Sequence, residues 1–149
     1  MARFIKELDY AMQIKNEIIR LLTINDNDWF NTPKLLRAEN TAIQQIRHRI
    51  GERYDCDKIF APSPQGEADT RDEFIVTITI DIALYHLYSQ TGMKDIPEHR
   101  QQRYQDALDW LRLVASGDES PQLPKVIDNT GEAYSEFRIN SRPPENHKW

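Results

Sequence analysis

Asp81 is the side chain in this sequence most in want of a chemical explanation. It stands inside an apolar run from Phe74 to Tyr88, where an unpaired carboxylate is costly. Such an acid is either catalytic or half of an ion pair. Catalysis calls for a second clustered carboxylate, a metal motif or a nucleophile, and none accompanies it. The expected role is therefore structural, with Arg53 and Arg103 (each followed by a tyrosine) as partners, so that Asp81 bridges the second and fourth predicted helices.

The other chemical candidates are weaker. Cys56 lies between Asp55 and Asp57, which disfavour a thiolate and hence a nucleophile. His48, His86, His99 and His147 are scattered without metal-ligand spacing, and there is no H-E-x-x-H, C-x-x-C or Gly-rich phosphate loop. Asp26 and Asp28 suggest a calcium loop, but an EF-hand would place an acid or amide at Phe30, glycine at Asn31 and glutamate at Arg37. No cofactor or metal is expected. Arg47, His48, Arg49, Glu52 and Arg53 give one helix end a basic surface, which could bind phosphate or simply answer the helix dipole.

These residues are carried by an expected all-α bundle of about four helices, over 8–23, 33–54, 71–91 and 96–116. The helix over 71–91 is apolar on nearly all sides and belongs at the centre. Its Val76–Ile82 segment alternates like a strand, yet the apolar pattern runs on too far for one. Thr70 and Glu73 read as its capping box, with Gly92 after its end. The helix over 96–116 has one apolar stripe through Tyr104, Ala107, Leu108, Leu111, Val114 and Ala115. Asp95 and Glu98 suggest a second capping box, Pro97 fits the first turn, and Gly117 stops the helix. In the first helix Ile14, Ile18 and Leu21 (with Leu22) mark the buried stripe, and Lys15, Asn16, Glu17 and Arg20 face out. Thr32-Pro33 opens the second helix, whose expected apolar face is Leu36, Ile43, Ile46, Ile50 and Tyr54. Gly51 within it suggests close packing.

Segment 55–71 contains Pro62, Pro64 and Gly66 and reads as irregular and exposed. The expected organisation is a helical domain over 1–117 and an extended or partner-ordered tail over 118–149. The tail is too polar for its own core and too aromatic for a plain linker. The candidate interface residues are Pro62 and Pro64, together with Tyr134, Phe137, Arg138 and Trp149.

A net charge of −5 with 29% charged residues weakens any reading as a general nucleic-acid binder. One cysteine excludes an internal disulfide and suits a reducing compartment. Met1–Tyr10 lacks the apolar core of a signal peptide, and Asp81 interrupts the longest apolar stretch before it reaches membrane-spanning length.

Several blocks carry a resemblance across about Leu36–Pro124. They are Arg53-Tyr54-Asp55, Asp81-Ile82-Ala83-Leu84-Tyr85-His86-Leu87, Ile96-Pro97, Arg103 through Leu111, Ala115-Ser116-Gly117 and Leu123-Pro124. In these the chain resembles the Mu-like prophage family of small helical proteins, which carries a domain-of-unknown-function label and is grouped with phage head–tail connector or neck adaptor proteins. The resemblance implies a non-enzymatic structural role. It implies a homo-oligomeric ring beneath the portal, with portal and neck or tail proteins as partners, no sequence-specific nucleic acid and no membrane. It also implies residence in the host bacterial cytoplasm and then the virion. The competing expectation is a small helical nucleic-acid-binding regulator using the Arg47–Arg53 surface. The long Pro-rich segment after that surface is unlike a helix-turn-helix turn.

Overall fold

The computed structural model describes residues 3–23, 28–90 and 96–127. Of the helical residues 16, 17, 20 and 21 only the backbone is described. The architecture of the described residues is all-helical: α1 Glu7–Gln13, α2 Asn16–Thr23, a 3-10 turn at Trp29–Asn31, α3 Pro33–Ile50, a single turn α4 Cys56–Ile59, α5 Glu73–Gln90 and α6 Glu98–Ser116.

α5 is the central helix, packed against α3 and α6 and also in contact with α1 and α2. From Ile75 to Leu84 its only residue that is not buried is Thr77. The β-branched, threonine-bearing run is helical because its hydroxyls are satisfied within the helix. Thr79 Oγ1 donates to the Ile75 carbonyl at 2.6 Å and Thr77 Oγ1 to that of Glu73 at 2.9 Å. With that polarity satisfied, burial against the surrounding helices decides the conformation over local strand propensity. The helix is capped by Asp72, whose Oδ1 accepts from the Ile75 amide at 2.9 Å, rather than by the expected Thr70–Glu73 box. Thr70 instead donates its amide to Ser63 Oγ. Gly92 and Asp95 lie outside the described residues.

The expected first helix is two helices. Ile14 is extended (φ −144°, ψ 146°) and breaks it. The break shifts the buried register of the second half to Ile14, Ile19 and Leu22, leaving Ile18 39% exposed, against the expectation for that residue. α3 also ends earlier than expected, at Ile50 instead of Tyr54. At Gly51 a Cβ would stand 2.5 Å from the Arg47 carbonyl oxygen, and the glycine closes the helix as its C-cap. Of the expected stripe Ile46, Ile50 and, just beyond the helix, Tyr54 are buried, whereas the N-terminal part of α3 enters the core through Leu35, Ala38, Glu39 and Ala42, with Leu36 and Ile43 only half-buried. The small Ala38 and Ala42 leave room for the bulky α5 against this face.

Segment 55–71 is not uniformly irregular and exposed. It holds α4, capped by the Asp55 side chain, and it buries Cys56, Ile59, Phe60 and Ser63, while Pro62 and Pro64 are exposed. Phe60 stacks edge-on against Phe4, 5.0 Å between centroids. α6 follows Pro97 and ends at Gly117, whose φ of +89° is the left-handed C-terminal conformation. Residues 118–127 then return to the body. Leu123 is buried, the Asp55 amide donates to the Pro124 carbonyl at 2.8 Å, and Val126 donates to the Arg53 carbonyl at 3.0 Å. Tyr54 and Lys125 form an isolated antiparallel bridge.

Candidate functional site

The polar groups inside the bundle are joined by arginines, and α1 is the element they hold. Asp81 is 5% exposed on α5. One of its oxygens, Oδ1, accepts from Arg103 Nε at 2.8 Å and from Gln13 Nε2 at 3.3 Å, and lies 3.5 Å from Arg100 Nη1. Arg103 thus meets Asp81. Arg53 does not: it lies at the far end of α6, where its Nη1 donates to the Val114 carbonyl at 3.4 Å and packs over Gly117. Val114 and Arg103 are roughly 16 Å apart along the helix axis at 1.5 Å per residue. The carboxylate therefore joins α5 to α6 and α1, and the expected bridge to the second helix through Arg53 is not made.

Arg100 is the partner that sequence reasoning missed. Its side chain is only 8% exposed, and its Nη2 donates to the Gln13 carbonyl at 3.0 Å. Burial pulls its pKa down, with Asp81 opposing. The hydrogen bond to Asp81 raises that of the half-exposed Arg103. The available signal was spacing: Arg100 precedes Arg103 by three positions, so both point from one face of α6. It was obscured because Arg100 carries no tyrosine neighbour of the kind that drew notice to the other arginines.

Two further clamps hold the N-terminal segment. Arg3 pairs with the buried Glu39 of α3, lies 3.7 Å over the Phe30 ring and donates to the Phe30 carbonyl at 2.6 Å. Tyr10 is fully buried and donates its hydroxyl to Glu39 at 2.7 Å. Burial first, and then the Glu39 charge, hold its pKa well above the phenol range. Arg71, before α5, binds Asp9 of α1, Asp69 and the Phe4 carbonyl. These hydrogen bonds depress the Asp69 pKa and raise that of Arg71. A fourth cluster spans α3, α5 and α6. His86 Nε2 is 3.0 Å from Gln45 Oε1, Gln45 donates to the Tyr104 hydroxyl at 3.1 Å, and Tyr104 stacks on Tyr85 at 3.9 Å. Burial lowers the His86 pKa.

The surface carries two contrasting regions. One is apolar and spans α1, α5 and α6. Leu8 and Met12 are 68% and 79% exposed, and Phe74 is 49% exposed against Trp110. Thr77 lines two grooves on this face; of their carboxylates Asp9, Asp69 and Asp81 are paired with arginines, and Glu73 and Asp106 stand at the rim. The other region is the open outer face of α3, from Pro33 and Leu36 through Arg37 and Asn40 to His48 and Arg49. Of the expected basic surface, Arg47 is paired with Asp57 at 2.8 Å and Arg53 is turned onto α6, while His48 and Arg49 are exposed.

Among the described residues no His/Cys/Asp/Glu group could hold a metal ion, and no helix is long and apolar enough to cross a membrane. Burial, more than the flanking acids, raises the Cys56 thiol pKa, so the thiol is protonated at neutral pH. Tyr134, Phe137, Arg138 and Trp149 lie outside the described residues. No curated protein and no solved structure matches the chain. The model of one family, described as Bacteriophage Mu, Gp36, does match, and it takes in residues 9–137, from the Asp9 clamp through the whole helical body. The Asp81–Leu87 and Arg103–Leu111 blocks that carried the resemblance lie inside that span, and the chain belongs to the Bacteriophage Mu, Gp36 family.

Proposed function

We propose that this phage protein is a non-enzymatic component of the particle, an adaptor that assembles at the head–tail joint beneath the portal. The observation that supports the reading is the exposed apolar face of Leu8, Met12 and Phe74, rimmed by carboxylates. Clustered exposed apolar side chains of this kind mark protein–protein contact. Leu8 and Met12 sit on α1, which the arginine clamps tie to the bundle, and Phe74 sits on the central α5; a preorganised surface loses less entropy on docking. Among the described residues the buried charges Glu39, Asp81 and Arg100 are paired across the bundle, which supports a structural use.

The test is co-sedimentation of the full chain with the portal protein encoded beside it, followed by negative-stain imaging. A ring stacked on the portal, lost in Leu8→Asp/Met12→Asp, is the expected result. A folded monomer that ignores the portal, both alone and with filled heads, would overturn the reading. The regulator alternative keeps His48 and Arg49 as exposed contacts, and a salt-sensitive gel shift on duplex DNA would favour it.

A further inference from the structure

We draw no further inference here: the strongest candidate, the exposed apolar patch formed by Leu8 and Met12 of α1 and Phe74 of α5, belongs to the face already proposed for docking, and nothing in the structure shows what covers it.

Discussion

Arg100 donates through Nη2 to the main-chain carbonyl of Gln13 at 3.0 Å. That carbonyl belongs to the last residue of α1, where the helix no longer supplies a donor. The break at Ile14 is therefore not a defect in a longer helix. It exposes an acceptor that a buried guanidinium on α6 fills, and it lets the Gln13 side chain reach Asp81.

The Asp81 cluster should show strongly unequal partners. Asp81→Asn leaves the buried Arg100 charge without its counter-ion and should cost about 3 kcal/mol. Arg103→Ala, at a side chain 47% exposed, should cost less than about 1 kcal/mol. A double-mutant cycle of Asp81 with Arg100 should show coupling, whereas one with Arg53 should be additive to within about 0.5 kcal/mol. Urea denaturation at neutral pH measures all of these.

Tyr10→Phe removes a buried donor from Glu39 and should destabilise the chain by about 1.5–3 kcal/mol, the range for a hydrogen bond to a charged group. Glu39→Ala should be worse, since it also strands Arg3. Equal effects of the two variants in thermal or urea melts would show that Arg3 is satisfied by the Phe30 carbonyl and ring alone.

His86 makes stability depend on pH in a definite direction. Its folded pKa is below the ordinary value near 6.5 because burial disfavours the cation. Below about pH 6.5 the unfolded chain binds the proton more readily than the folded one. Stability should thus fall as pH drops from about 6.5 towards the folded pKa, and be unaffected by this group above it. Urea midpoints between pH 7.5 and 5 in the native chain and in His86→Gln should diverge on the acid side, with the variant flatter.

Gly117→Ala places a β-carbon at φ +89°, costing roughly 1–2 kcal/mol, and 2.6 Å from Arg53 Nη1. The guanidinium can move aside, so the loss should stay near the backbone cost. Arg53→Ala in the Gly117→Ala background should recover none of that backbone cost, which urea melts of the single and double variants will show.

Chain ends cut at two places should separate body from tail. Truncation after Ile127 removes none of the described contacts of the helical body and should leave the helical melt within about 0.5 kcal/mol. Truncation after Gly117 removes buried Leu123 and the backbone bonds to Asp55 and Arg53, and should cost about 2–3 kcal/mol. Circular dichroism melts distinguish the two.

The sequence by itself determined the elements whose signals are local and long: the apolar α5, α6 ended by Gly117, and the Thr32-Pro33 start of α3. It also marked Asp81 as an acid that must be paired, since burial follows from the all-round apolar pattern of its neighbours. The tertiary structure alone decided what depends on facing and distance. Nothing local announces the break at Ile14, because its benefit lies in Arg100, far along the chain. The same holds for α3, where Ala38 and Ala42 face inward beside Leu35 and their small side chains let α5 approach. Pairing likewise follows geometry: Arg53 and Arg103 are alike in sequence, but Arg53, following α3, meets the C-terminal end of α6, and only the opposite end, bearing Arg100 and Arg103, lies beside Asp81.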